Sequence, residues 1–171
     1  MKGTSPQITN IVSCYSLPFD IDLKNLVTHY PKVDYRPGRF NGAIVKRKAN
    51  CLLIFRNGKV NVVGNKNIDD ANEGIVELCK NLGRTCKIQG RIVNIVATCG
   101  LGYPVILNEI VNSTNGVFEY NPEIYPAAYY RIGKSRISVF HTGKLVFTGF
   151  TSVTDLYDAF DEISLLIKFC S

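Results

Sequence analysis

The sequence predicts an α+β fold made of two copies of one half-domain, with a sheet covered by helices on one face. Three observations predict it: landmarks of one half recur in order in the other, apolar and polar residues alternate with the period of a strand, and each copy closes on an amphipathic helix. A chain of 171 residues is long enough for two small halves with a shared core.

The repeat is the strongest signal in the sequence. Asn10–Val12 matches Asn94–Val96 at an offset of 84, and "LLIFRNGKVNVVG" at 52–64 matches "ISVFHTGKLVFTG" at 137–149 at an offset of 85. Two copies of this length do not suit a solenoid, whose repeats are shorter and more numerous. We therefore predict an arm at 1–7, a first repeat at 8–90 and a second at 91–171.

Each copy has the same order of predicted elements. A strand ("ITNIVSCYSL", "IVNIVATCGL") leads into a short amphipathic helix ("DIDLKNLVTHY", "PVILNEIVNS"), and further strands follow, separated by turns at "RKAN" and "GKSR". Asn57-Gly58 and Thr142-Gly143 suit hairpin turns. The closing helices have these candidate N-caps: Asn67 or Asp69, and Thr151 or Ser152.

Period-two alternation assigns the hairpin residues to faces. One face of the first hairpin carries Leu53, Phe55, Asn61 and Val63, and one face of the second carries Ser138, Phe140, Val146 and Thr148. The pattern alone favours Phe55 and Phe140 as core residues. Basic residues around both hairpins favour a nucleic-acid-binding face instead: Arg39, Lys46, Arg47, Lys48, Arg56, Lys59, Arg131, Arg136 and Lys144.

Composition narrows the function classes. The net charge is +6, and residues 1–91 carry 15 Lys and Arg against 7 Asp and Glu, whereas residues 92–171 carry 5 against 7. This asymmetry suggests a polyanion for the basic half and another partner for the acidic half, although an ordinary solvated surface fits the charges equally well. The six Cys form no C-x-x-C pair, which disfavours a zinc knuckle and a disulfide framework and fits a reducing compartment.

Nothing in the sequence favours an enzyme or a membrane protein. His29 and His141 have no ligand or triad spacing, and the Gly-Lys pairs lack the remainder of a phosphate-loop motif. We expect no catalytic residue, no metal and no cofactor. We also expect no signal peptide and no membrane span, because the N-terminus has no apolar segment and no apolar run approaches a bilayer's thickness.

From about residue 8 to 169 the sequence resembles the conserved core of the TATA-box-binding protein family. The motifs that carry the resemblance are "NIVS" and "NIVA", Tyr-x-Pro followed by "RF" or "EIYP", "LIF-x-x-GK", "VFTG" and "YNPEIYPAAYYRI". The resemblance implies a pseudo-symmetric saddle, in which a curved antiparallel sheet grips the DNA minor groove and helices cover the convex face. It implies a transcription initiation factor that binds and bends A/T-rich promoter DNA.

The resemblance also implies roles for individual residues. The side chains inserted between base pairs are Phe40, Phe55, Tyr125 and Phe140. The groove and base-edge contacts are Asn10, Asn94, Val12, Val96, Leu53, Val63, Val146 and Thr148. The phosphate contacts are Arg39, Lys46, Lys59, Arg131 and Lys144. Asn121 and Glu123 lie in a segment similar to the stirrup that binds transcription factor IIB. The resemblance implies factor IIB and RNA polymerase as partners. It implies a nuclear location, or a viral factory or the archaeal cytoplasm if the source is viral or archaeal. A weak homodimer of the free protein is a further possibility that the sequence leaves open.

The sequence departs from the family where polar residues enter the predicted binding face. Asn41 stands where the family usually has Ala, Asn61 where it commonly has Val, and Ser138 where it has Leu. These residues favour an alternative function as a protein-interaction module with weak or no sequence-specific DNA binding. A third alternative, reuse of the fold in a nuclease or glycosylase, lacks paired catalytic carboxylates.

Overall fold

The computed structural model describes residues 3–30 and 32–170, so Met1 and Lys2 of the predicted arm lie outside the described residues. The chain divides into two compact units, one of which spans Asn10–Val93, while the other takes in the rest of the described chain. We call them the first and second units. Both are α+β, with antiparallel strands and two helices each, as the sequence predicts.

The first unit is a sheet with the strand order β2-β3-β4-β5-β1. Its elements are β1 (Gln7–Ser16), α1 (Leu23–His29), β2 (Val33–Tyr35), β3 (Gly42–Lys46), β4 (Cys51–Phe55), β5 (Lys59–Asn65) and α2 (Ile68–Asn81). Alternate strand residues such as Leu52, Ile54 and Val62 are fully buried and form one core cluster with Leu26 of α1 and Ile75 of α2. Both helices therefore cover the same face.

The second unit repeats this plan with the strand order β6-β10-β9-β8-β7. Its elements are β6 (Gly90–Gly100), α3 (Leu107–Ser113), β7 (Phe118–Glu119), β8 (Ala127–Ile132), β9 (Ser135–Phe140), β10 (Lys144–Phe150) and α4 (Val153–Phe169). Ile137, Val139 and Phe147 are fully buried on the helix side, and the Phe147 ring meets the Phe160 ring of α4 edge-on at 6.3 Å.

Side-chain caps fix the start of both long helices. Asn67 Oδ1 accepts a hydrogen bond from Asp70 N at 2.9 Å, and Ser152 Oγ accepts one from Asp155 N at 3.2 Å. Each cap satisfies one backbone N–H that the first helical turn leaves unpaired. Of the candidate N-caps, Asn67 and Ser152 are thereby confirmed.

The hairpin turns form where the sequence predicts them, but one other turn is shorter than predicted. Gly58 and Gly143 adopt φ values of +75° and +79°, which favour glycine. The predicted turn "GKSR" is wrong in extent, because Ser135 and Arg136 already belong to β9. Ser135 pairs with Ile132 directly across a two-residue connection, so the chain reverses earlier than the polar letters suggest.

The short helices are also shorter than predicted. α1 begins only at Leu23, because Asp22 caps it by accepting from the backbone N–H groups of Lys24 and Asn25. α3 begins at Leu107, and no side chain caps its start at Ile106. No helix in 3–30 or 32–170 combines the length and apolarity needed to cross a bilayer.

Candidate nucleic-acid interface

Each unit has a sheet face turned away from its helices, which we call the open face. In the first unit the strand register places Ile44, Leu53, Asn61 and Cys14 in one row across β3, β4, β5 and β1. All four side chains are half-buried, whereas their strand neighbours on the other face are fully buried. Partly exposed sheet faces that carry several apolar side chains are often interaction sites, which makes this face a candidate.

The open face of the second unit has the matching row. Tyr129, Ser138, Val146 and Thr98 align across β8, β9, β10 and β6. Ser138 is only 3% exposed, so its hydroxyl is less available than the sequence alone suggests. Among the other polar departures, Asn41 is exposed and Asn61 is half-buried.

An edge-to-face aromatic pair lies on the open face of each unit. The ring centroids of Phe40 and Phe55 are 5.5 Å apart, and those of Tyr125 and Phe140 are 5.9 Å apart. This geometry is favourable for aromatic rings. The structure thus brings each predicted inserting side chain beside its partner. None of the four rings belongs to the buried core, which excludes the core interpretation of Phe55 and Phe140.

Tight turns hold the first aromatic of each pair. Arg36 O accepts a hydrogen bond from Phe40 N at 3.0 Å, and Asn121 O accepts one from Tyr125 N at 3.0 Å. Gly42 follows Phe40, and a Cβ at Gly42 would lie 2.7 Å from the Phe40 ring. The absence of a side chain at Gly42 therefore lets the ring rest against the strand.

Asn10 and Asn94 occupy equivalent positions and make equivalent hydrogen bonds. Asn10 Oδ1 accepts from Gly64 N at 2.9 Å, and Asn94 Oδ1 accepts from Gly149 N at 2.8 Å. Because an N–H must meet the oxygen, these bonds fix the orientation of both amides. Within the described part of the chain neither Nδ2 group has an acceptor, so each offers two N–H donors at the open face.

Backbone irregularity makes this arrangement possible. The pairing of β1 with β5 shifts register between Ile11 and Ser13, and that of β10 with β6 shifts between Phe147 and Phe150. Gly64 and Gly149 lie at these bulges with φ values of +93° and +83°. The bulges free a backbone N–H from strand pairing, and the asparagine oxygen satisfies it.

The remaining predicted groove residues lie on the same faces. All are half-buried on open-face positions of central strands: Val12, Leu53 and Val63 in the first unit, and Val96, Val146 and Thr148 in the second. Thr148 Oγ1 donates to Arg136 O at 3.4 Å. Apolar side chains therefore share the open face with each asparagine, and in the second unit the hydroxyl of Thr148 is already hydrogen-bonded to Arg136 O.

The predicted phosphate contacts differ in whether they form an ion pair within the protein. All five are exposed, and four have no ion-pair partner among the residues that the structure describes: Arg39, Lys46, Lys59 and Lys144. Arg131 is different, because its Nε lies 3.2 Å from Glu119 Oε1 on the neighbouring strand. Both side chains are more than half exposed, so this pair adds little stability.

The predicted partner segment projects into solvent. Asn121 and Glu123 are exposed, and Asn121 Oδ1 accepts from Glu123 N at 3.2 Å. Sequence reasoning missed Ile124, which is 80% exposed at the same tip. An isoleucine between Glu123 and Tyr125 in a Pro-bounded turn was the available signal, since such turns rarely bury an apolar residue.

Sequence reasoning missed Tyr129 on the second open face, and it named Arg136 only as one of the basic residues around the second hairpin. Tyr129 stacks on Tyr125 with ring centroids 5.2 Å apart and an interplanar angle of 17°. The Arg136 guanidinium carbon lies 4.6 Å from the Tyr129 ring centroid. Counting back in twos from Phe140 would have placed Arg136 on this face, but the predicted turn interrupted the count.

Burial raises the pKa of titratable groups on both faces of the sheet. Burial raises the pKa of the Cys51 thiol on the first open face, and the charge of Lys46 partly offsets this. On the helix side, burial and a hydrogen bond to Glu162 raise the pKa of Tyr130 to about 12. His29 Nδ1 is hydrogen-bonded to Asn25 O within its own helix. No group of three or more potential metal ligands occurs in the described ranges.

Comparison with known proteins decides the family. The model of "Transcription factor TFIID (or TATA-binding protein, TBP)" matches residues 5–85 and 89–169. The chain belongs to the TATA-binding protein family. A TATA-box-binding protein of Bombyx mori is 33% identical over 174 residues, covering 97% of this chain and 57% of that protein. TATA-box-binding protein-like 1 of Entamoeba histolytica is 34% identical over 167 residues, covering 92% and 77%.

A solved structure extends the match to the fold. The TBP of Methanococcus jannaschii aligns with a TM-score of 0.85 and 30% identity, covering 96% of this chain and 99% of that chain. The expected TATA-binding protein family and its α+β fold class of two repeated halves are confirmed. This is a family of general transcription factors and not of enzymes. The chain spans little more than half the length of the Bombyx mori protein.

Proposed function

We propose that the protein is a transcription initiation factor that binds A/T-rich promoter DNA through the minor groove and bends it. One observation carries the proposal. Each unit presents an apolar open face with an edge-to-face aromatic pair and one asparagine amide whose two N–H donors are free. The chemistry of each face suits one half of a duplex site.

The chemistry of the minor groove matches these faces. Both A·T and T·A present only acceptors there, whereas G·C adds the guanine amino group. An amide that can only donate toward the groove, as in Asn10 and Asn94, therefore favours A·T. Apolar neighbours such as Val12 and Val96 leave no acceptor for a guanine amino group.

Insertion of aromatic rings accounts for bending. Minor-groove proteins, the TATA-box-binding protein among them, insert apolar side chains between base steps and kink the duplex. Phe40 with Phe55, and Tyr125 with Phe140, are the rings placed for this role. The exposed cations Lys46, Lys59 and Lys144 would add a salt-dependent contribution through phosphates.

The same proposal assigns partners and a location. The exposed Asn121, Glu123 and Ile124 form a projecting turn suited to a factor IIB-like protein, which would recruit RNA polymerase. A nuclear location follows for a eukaryotic source, as the insect and Entamoeba relatives suggest.

A bending assay tests the proposal. On an A/T-rich duplex with dyes at both ends, the wild-type protein should raise energy transfer, and Phe55→Ala and Phe140→Ala should each lose most of the rise. Phe169→Ala is the matched control, because Phe169 is 86% exposed on α4. Binding should weaken steeply as salt increases. Failure of the wild type to bind any duplex, even at low salt, would refute the proposal.

The alternative is a protein-interaction module on the same faces. The exposed Asn41 and half-buried Asn61 favour it, because they put amide groups on a surface that is otherwise apolar. It expects no difference between A/T-rich and G/C-rich duplexes. A clear preference for the A/T-rich duplex therefore excludes it.

A further inference from the structure

The open faces of the two units differ at several equivalent positions, and two of them change the chemistry most. In the first unit Ile44 is half-buried in the row described above, and Cys51 lies opposite Lys46. In the second unit the repeat offset places Tyr129 at the position of Ile44 and Arg136 at that of Cys51. An aliphatic side chain and a thiol are thus replaced by a phenol ring and a guanidinium.

These two residues continue the aromatic pair into a longer stack. The Phe140 ring meets Tyr125 edge-on at 5.9 Å, Tyr125 stacks on Tyr129 at 5.2 Å, and the Arg136 guanidinium lies over Tyr129 at 4.6 Å. Among the described residues, the open face of the first unit has only the ring pair Phe40 and Phe55. A guanidinium held on a ring face keeps its N–H groups in a defined plane, and its weak hydration leaves them free to donate.

The register adds a like-charge contact that has no counterpart in the first unit. Arg131 and Arg136 lie directly opposite each other on β8 and β9. Like charges at such a position destabilise a sheet. Arg131 is relieved by Glu119 at 3.2 Å, whereas Arg136 has the Tyr129 ring and no carboxylate among the described residues. Arg136, which has no carboxylate partner among the described residues, lies nearer the centre of its sheet than Arg131 does.

We propose that Arg136, positioned by Tyr129, donates hydrogen bonds to base-edge acceptors in the minor groove and makes the second unit the more A·T-selective of the two. The inference rests on the proposed function and deepens it. The ligand is a minor-groove edge that offers purine N3 or pyrimidine O2 and has no guanine amino group. A guanine amino group would place its own N–H donors against those of the guanidinium, which disfavours G·C. A protein with one such unit binds an asymmetric site in a preferred orientation.

The place of Arg136 in its row favours a base contact over a phosphate contact. Arg131 lies on β8 toward the sheet edge, Arg136 on β9, and Thr148 on β10 directly opposite Arg136. Thr148 is one of the predicted groove contacts, and Arg131 is one of the predicted phosphate contacts. Arg136 therefore lies one strand inward of the phosphate position and beside the groove position, and a narrow A·T groove attracts arginine.

Inosine substitution tests the inference. An I·C pair presents the minor-groove edge of A·T, because inosine lacks the 2-amino group of guanine. A/T-rich duplexes are prepared with single A·T pairs replaced by G·C or by I·C, and wild-type affinities are measured at fixed salt. At the positions beneath the second unit the wild type should reject G·C about tenfold relative to A·T and should accept I·C.

Variants then separate the base contact from charge alone. Arg136→Cys and Tyr129→Ile introduce the residues of the first unit, and both should reduce the rejection of G·C at those positions to about twofold or less. Arg136→Lys should retain overall affinity but lose the same discrimination, because an ammonium lacks the planar fork. Arg84→Cys is the matched control, since Arg84 lies over the Phe19 ring at 5.5 Å in the first unit, away from its open face. It should retain wild-type discrimination.

Two results would overturn the inference. If Arg136→Cys weakens binding equally on all duplexes and lowers the salt dependence by about one phosphate contact, Arg136 contacts phosphate only. If it retains wild-type discrimination, Arg136 makes no base contact. Thermal unfolding of each variant shows that the fold is retained, and Arg136→Lys gives the decision if Arg136→Cys is unstable. Lack of wild-type binding to any duplex would refute the proposed function, and this inference with it.

Discussion

Replacing Asn94 with aspartate separates the folding role of this side chain from its DNA-binding role. Asn94→Asp keeps an oxygen for Gly149 N, now as a charge-assisted bond, so stability should be unchanged or slightly higher. The amide group that would donate to base edges in the proposed complex is replaced by a carboxylate oxygen. The loss of a base-edge bond and the new repulsion from base acceptors should together cost about 3 kcal/mol, or over a hundredfold in affinity.

The assay is a titration of a labelled A/T-rich duplex, read by anisotropy beside thermal unfolding of each free protein. Asn94→Ala is the comparison, because it removes the bond to Gly149 as well and should cost about 1 kcal/mol of stability, or about 3 °C in Tm. Asn10→Asp should behave like Asn94→Asp, since Asn10 makes the same bond to Gly64. If Asn94→Asp binds DNA as tightly as the wild type, the amide does not face the groove and the reasoning fails.

Three further predictions follow from the same faces. Glu119→Gln should free Arg131, which raises DNA affinity up to about fivefold and steepens its salt dependence by about one phosphate contact; an unchanged salt dependence in a filter-binding series would mean that Arg131 does not reach DNA. DNA should protect Cys51 but not Cys86 from iodoacetamide, measured by mass spectrometry at mildly alkaline pH because burial raises the pKa of Cys51; equal labelling of Cys51 with and without DNA would contradict an open-face site. Glu123→Lys should weaken recruitment of a factor IIB-like protein in a supershift assay with DNA affinity nearly unchanged, and normal recruitment would exclude the projecting turn as its contact.

The fold and both open faces could be predicted because they depend on periodicity. Burial on one face of a strand repeats every second residue, so Phe55 and Phe140 are assigned to one face of the sheet once their strands are recognised. The pattern alone favours the core for that face, and only the basic residues around the hairpins indicate that it is open. The long closing helices begin at Asn67 and Ser152 because a cap needs only a short side chain at one position. Such signals are local, and the internal repeat supplies each of them twice.

The hydrogen-bond partners of the asparagines could not be predicted from the residues themselves. The bond from Gly149 N to Asn94 joins residues 55 positions apart and depends on a bulge in the pairing of β10 with β6. Gly149 adopts a φ of +83° at this bulge. Because glycine can adopt many backbone conformations, a glycine in the sequence does not by itself predict a bulge. Resemblance supplied the role of Asn94, and only the register shows why its amide has one orientation.

Arg136 was expected near the second hairpin but not on its open face, because turn chemistry was given more weight than alternation. The letters Gly-Lys-Ser-Arg are polar and suit a loop, yet β9 begins at Ser135. One strand boundary moved by two residues transfers a guanidinium from a solvated turn to a binding face. Strand ends are decided by pairing with a neighbour, here Ser135 with Ile132 and Arg136 with Arg131, and pairing is a tertiary property that local composition does not record.

The same pairing explains why Ser138, a polar residue where the family has Leu, exposes little of its hydroxyl on the open face. Ser138 lies between Tyr129 and Val146 in its row, and it is 3% exposed. In the corresponding row of the first unit the polar residue is Asn61, which lies between Leu53 and Cys14 and is half-buried. The first unit therefore has an amide at Asn61 where the second has Val146, and an aliphatic side chain and a thiol at Ile44 and Cys51 where the second has the ring of Tyr129 and the cation of Arg136. The open faces of the two units thus present different chemistry at equivalent positions.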